Sequence, residues 1–137
     1  MKTTFQQTLE FVIPPLFLAI GLIFLVFPAI SNGNLPGFLL DSRFNHYVLE
    51  HYYLSITGMT DSFINMPILY PWTKTVFFSD AFLGNGFIYA LFRFRHFSPE
   101  ESFAYWYMTG FILNYINAFI VLRLLKLNNF TASIGAF

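Results

Sequence analysis

The stretch LLDSRFNHYVLEHYY, residues 39–53, gathers Asp41, Arg43, His46, Glu50 and His51 in a chain in which only 10% of residues are charged. Asp41 follows an apolar run, so its carboxylate is placed where polar access meets apolar surroundings. Such a group can act as general base toward a hydroxyl when its neighbours tune its pKa. Asp80, in SDAFLG, stands at the far end of the same polar connection. Two carboxylates at the ends of one loop can share a divalent metal or divide base and positioning roles between them. As helix N-caps, neither acid needs a further purpose.

Arg43, His46 and Glu50 fall at i, i+3 and i+7 and so share one helical face. Pairing of Arg or His with Glu on that face, worth roughly a few tenths of a kcal/mol, accounts for them without any function. The functional alternative is a cationic edge for a phosphate, with planar paired donors from Arg43 and added charge from His46 or Lys74. His46, Glu50 and His51 lack the spacing of a transition-metal site, because His51 points about 100° away from the face of the other two. A Gly-rich phosphate loop, a nucleophile elbow and a zinc-protease helix motif are all missing, which excludes the usual soluble nucleotide chemistry.

The elements that position these residues follow from hydropathy. The chain of 137 residues is 56% hydrophobic and 22% aromatic, against a charged content of roughly a quarter in ordinary soluble domains. That composition predicts an all-α integral membrane protein. Lys plus Arg equals Asp plus Glu, so no overall field recruits nucleic acid. With no cysteine, there is neither a disulfide framework nor a thiolate site.

Three crossings are expected. The first is about 11–30, FVIPPLFLAIGLIFLVFPAI, close to the roughly 20 residues that span a bilayer core. Pro14 and Pro15 fit its first turn, Pro28 its end, and all three fit a cleaved signal peptide poorly. The second crossing, about 80–95, has a short apolar stretch from Ala81 to Phe92 that needs Arg93 and Arg95 to snorkel. The third is about 102–123, with Gly110, Asn114 and Ala118 forming a small and polar stripe suited to close packing in lipid.

Between the first two crossings lies a connection of about fifty residues, 31–79, long enough to predict structure of its own. DSRFNHYVLEHYYLSITG reads as an amphipathic interfacial helix capped by Asp41 and stopped at Gly58, with Phe44, Tyr47, Val48 and Leu54 on its apolar stripe. NMPILYPW, with Pro67 and Pro71, predicts an extended or turning segment. The last residues, NNFTASIGAF, read as the start of a further apolar segment, so the expectation is a fragment of a larger polypeptide or a subunit that needs partner helices.

The order DSRFNHYVLEH, SFINMPILYPWTKTVFFSD, LFRF and ILNY, from Leu35 to Arg123, resembles bacterial polytopic membrane proteins of the GT-C glycosyltransferase type. The resemblance implies part of a larger GT-C-like fold in the bacterial inner membrane, N-terminus inside. It implies an outer-face site that moves a sugar from a polyprenyl-phosphate donor to an acceptor hydroxyl. Asp41 matches the acid after the first membrane helix, the base or acceptor-positioning group, and Asp80 matches the second acid. Arg43, His46, Glu50 and Lys74 are then candidates for substrate binding, Arg43, His46 and Lys74 at the lipid-linked phosphate. The rival expectation is a non-enzymatic membrane subunit or transporter fragment whose loop binds a partner or a lipid headgroup.

Overall fold

A computed structural model describes residues 4–31, 35–37, 39–69, 71–78 and 82–137, without the side chains of 4–9 and 39. Every regular element among the described residues is helical: α1 (Thr4–Gly21), a π turn (Leu22–Val26), α2 (Phe27–Ile30), α3 (Leu39–Ile56), a 3-10 turn (Thr75–Phe78), α4 (Gly86–Phe94), α5 (Pro99–Leu124) and α6 (Asn129–Ala136). Among the described residues, two stretches are long and apolar enough to cross a membrane. They are Glu10–Ile30, with mean hydropathy 2.5, and Pro99–Leu124, with mean hydropathy 1.3. Only 11% and 6% of these windows are buried within the protein, unlike the core helices of a soluble fold. The segment expected to cross at 80–95 is helical over Gly86–Phe94, about 14 Å at 1.5 Å per residue, well short of a core about 30 Å thick.

The chain divides into two compact units, residues 1–31 with 107–137, and residues 32–106. In the first unit, α1 begins at Thr4, so Pro14 and Pro15 lie in the helix interior and not in its first turn. A helix-interior proline removes one backbone donor, leaving the carbonyl four residues earlier without its usual partner. The unit answers this directly. Asn129 Nδ2 donates to the Glu10 carbonyl at 2.7 Å, four residues before Pro14. Tyr115 adds a contact at the proline pair itself, donating its hydroxyl proton to the Pro14 carbonyl at 2.8 Å, a carbonyl that neither proline deprives of its helical donor. Further along, the Phe27 N–H reaches back five residues to the Leu22 carbonyl, a π turn just before Pro28, which has no N–H to donate.

The C-terminal segment is helical over α6, with Asn128 accepting from the Thr131 N–H at 2.9 Å as its cap. Phe17 of α1 meets Phe130 and Phe137 edge to face. Close approach occurs at Gly21, where an added Cβ would come within 2.7 Å of Phe111, and at Gly135, within 2.9 Å of Leu122. Gly110 of the expected packing stripe has nothing within 4 Å of that position.

The second unit is organised on α3. Val48 joins Met66 and Val76 in one cluster, and Leu49 joins Tyr89 and Phe103 in another. The stripe read from sequence is met at Phe44 and Val48, but Leu49 and His51 are buried too, while Tyr47 is exposed. Consecutive burial at 48 and 49 means that α3 is enclosed over a wide arc, not laid on one narrow apolar face. It packs against α4, where Gly86 lets the Tyr52 ring approach to 3.1 Å of the would-be Cβ.

Hydrogen bonds close the segment after α3. His51 Nε2 lies 3.1 Å from both the Ser62 and the Phe63 carbonyl. Both partners accept only, so the ring proton sits on Nε2. Asn65 Oδ1 accepts from the Lys74 N–H at 2.8 Å, the Met66 carbonyl from Thr75 Oγ1 at 2.8 Å, and the Ile64 carbonyl from the Val76 N–H at 3.2 Å. Ser98 and Glu101 then cap α5 reciprocally at 3.1 and 2.8 Å, with Pro99 as its first residue.

Replacing Asn129 by Leu is expected to destabilise the first unit by roughly 1–2 kcal/mol, toward the lower end of the cost of withdrawing a donor from a sheltered acceptor, because this contact is only partly buried. Pro14→Ala restores an intrahelical donor to the same carbonyl, so the double variant Pro14→Ala/Asn129→Leu should regain most of the loss. Thermal unfolding in detergent, followed by circular dichroism, measures both.

Candidate functional site

The polar residues of α3 divide into exposed and enclosed sets. Asp41 lies in the first turn, two residues inside the helix start at Leu39. It therefore faces the positive end of the helix dipole without being the cap residue. Asp41 and Arg43 are both exposed, and no ion pair joins them. Lys74 is exposed as well, with its backbone in the left-handed region at φ 58°. Asp80 lies outside the described residues, so its convergence with Asp41 is not part of this geometry.

Glu50 is the centre of the enclosed set. Its Oε2 accepts from Arg93 Nε at 3.0 Å and its Oε1 from Arg93 Nη2 at 3.1 Å. This is a two-point fork between α3 and α4, not a pairing with Arg43 or His46 on its own helix. Tyr89 donates its hydroxyl proton to the same Oε2 at 2.6 Å. Arg93 Nη1 donates to the Phe97 carbonyl at 2.5 Å, and the guanidinium carbon stands 4.9 Å from the centre of the Tyr53 ring. The two charged side chains are only 18% and 20% exposed, so this is a largely sheltered pair in which most donors and acceptors are used.

His46 sits beside this lock. Its ring meets Tyr89 at 6.2 Å and Phe103 at 5.3 Å, both near edge-on. Its Nε2 is buried without a hydrogen-bond partner, as is Ser102 Oγ. The ring is used as an aromatic body between two other aromatics. Of the substrate candidates, Glu50 and His46 are thus engaged in the unit's interior, while Arg43 and Lys74 remain open to solvent. Among the described residues no group of three or more His, Asp or Glu side chains comes together as a metal site.

No family model, curated protein or solved structure matches this chain.

Arg93 and Tyr89 are the residues that sequence spacing does not pick out. A helical wheel relates residues of one helix, whereas Arg93 meets Glu50 across 43 positions. The available signal is scarcity: an acid and a base in strongly apolar segments must be paired if they are sheltered.

Burial raises the Tyr89 hydroxyl above its usual range, and the hydrogen bond to Glu50 and that carboxylate's charge raise it further. Below pH 10 the hydroxyl is protonated in the folded and unfolded chain alike. Above that, the unfolded chain releases the proton while the folded unit retains it, so stability falls with rising pH. Alkaline titration should show this loss in the wild type and a shallower loss in Tyr89→Phe, read as thermal midpoint against pH.

Glu50→Met leaves the Arg93 guanidinium without its carboxylate. The expected cost is roughly 2–4 kcal/mol, below the roughly 3–5 of a fully buried pair because both groups keep some water. Glu50→Met/Arg93→Met should be more stable than the single variant, as a chemical unfolding series would show.

Proposed function

We propose that the chain is a membrane-anchored glycosyltransferase segment that moves a sugar from a polyprenyl-phosphate donor to an acceptor hydroxyl. In this reading α1–α2 and α5 cross the membrane, and the connection between them that carries Asp41 lies at its outer face. One observation carries the assignment: Asp41 is exposed in the first turn of the helix that follows a 21-residue apolar stretch, with exposed Arg43 two residues on. The other acid of α3, Glu50, is committed to Arg93.

The reaction needs two kinds of group at one place. The acceptor oxygen attacks the anomeric carbon while its proton passes to a carboxylate, and the bond from that carbon to the phosphate oxygen breaks. Negative charge then develops on the departing phosphate, where a cation stabilises it. Asp41 is the base in this scheme and Arg43 the cation. Lys74 is a second candidate for the phosphate, and Asp80 remains the candidate for a second acid. A divalent metal held by the two acids would take part of the same charge.

A second reading follows from the lock itself. With Glu50, Arg93, Tyr89 and His46 all engaged within it, the unit of residues 32–106 has the character of a rigid scaffold, which suits a non-enzymatic membrane subunit. Sugar transfer from a radiolabelled polyprenyl-phosphate donor separates the two, assayed in membranes carrying the full-length gene product. Asp41→Asn is expected to lower transfer by roughly 10²- to 10⁴-fold, the range for loss of a general base. Equal transfer by the variant at matched expression would remove Asp41 from catalysis and favour the scaffold.

A further inference from the structure

The segment between Met66 and Thr75 is pinned at its base and apolar at its tip. Three hydrogen bonds close the base, at Asn65–Lys74, Met66–Thr75 and Ile64–Val76. Met66 and Val76, at 3% and 0% exposure, seat it against Val48. Ile68 packs against the same cluster, but two other large side chains of the segment are open, Trp72 at 69% and Leu69 at 58% exposure, and Phe78, at the end of the following 3-10 turn, is 61% exposed. These three line an apolar groove of about 330 Å³. Leu69 and Lys74 are both held at φ 58°, a left-handed backbone that non-glycine residues keep only where surrounding contacts impose it.

Holding such side chains in water is unfavourable by roughly 1.5–3 kcal/mol for each that could instead be buried. A pinned loop that displays them is therefore built to place them in something apolar. The geometry points to the lipid headgroup boundary as that surface, with Trp72 and Leu69 dipping among the upper acyl segments and the Lys74 ammonium kept at phosphate level. The occupant follows from the chain's own continuity. In sequence, residues 32–106 follow an apolar stretch of bilayer length that ends at Ile30 and run into α5, the second stretch of that kind among the described residues. Trp at the interface and Lys beside it are the side chains that suit this depth. The inference rests on the membrane reading of those two helices, and not on the glycosyltransferase chemistry.

The test uses the full chain reconstituted in phosphatidylcholine vesicles whose acyl chains carry bromines either near the headgroup or near the chain ends. The Trp72 signal is taken as the difference between wild type and Trp72→Phe, which leaves Trp106 in place. Loss of this signal with shallow bromines, a smaller loss with deep ones and protection from aqueous iodide are expected. A Trp72 signal open to iodide and indifferent to bromine overturns the anchor while leaving the two spanning helices intact. Protection from both quenchers overturns it too, since protein then covers the loop. Extraction of the chain by alkaline carbonate removes the membrane reading itself, and the anchor with it.

Discussion

A carboxylate and a guanidinium on neighbouring helices can share an apolar setting only if each supplies what the other has lost from water. Glu50 and Arg93 meet that condition through a two-point contact, and their remaining capacity goes to the Tyr89 hydroxyl and the Phe97 carbonyl. Much else in the second unit is arranged around this. Tyr89 is wholly buried because its hydroxyl has a charged acceptor, and its ring can then pack with Leu49 and Phe103. Tyr53 faces the guanidinium, and His46 fills the space between Tyr89 and Phe103. The pair also ties α3 to α4, two elements whose apolar contacts alone would tolerate sliding. Directional bonds at fixed positions set the register between them.

The same requirement, that sheltered polar groups find partners, governs the first unit through its backbone. Pro14 and Pro15 interrupt the internal bonding of a helix that has little water around it if it lies in lipid. Side chains from α5 and α6 reach the carbonyls around the interruption, Tyr115 at Pro14 and Asn129 at Glu10. A proline pair that would weaken an isolated helix becomes a docking point for two others.

Hydropathy made the two long apolar helices legible, because their signal is summed over some twenty residues and depends on no partner. Boundaries were less accessible. The polar residues from Thr4 to Glu10 continue α1 without any apolar signal, which moved the prolines from the first turn to the interior. Asp41 was displaced from cap to first turn in the same way, by two apolar residues that belong to α3. The face shared by Arg43, His46 and Glu50 was a correct statement of helical geometry, yet Glu50 took its partner from another helix. Spacing within one helix carries no information about a residue 43 positions away, and that contact decides which charges are left for chemistry. Exposed Asp41 and Arg43 were among the residues picked out by type and position.

The contact between Asn129 and the Glu10 carbonyl joins positions 119 residues apart. At a synthesis rate of about 5–20 residues per second, that interval is roughly 6 to 24 s. During it, the interrupted first helix must enter its environment without the amide that later completes it. The order of manufacture therefore runs against the order of stabilisation. Whatever shelters α1 in those seconds, water included, is a temporary substitute for a single side chain made 119 residues later.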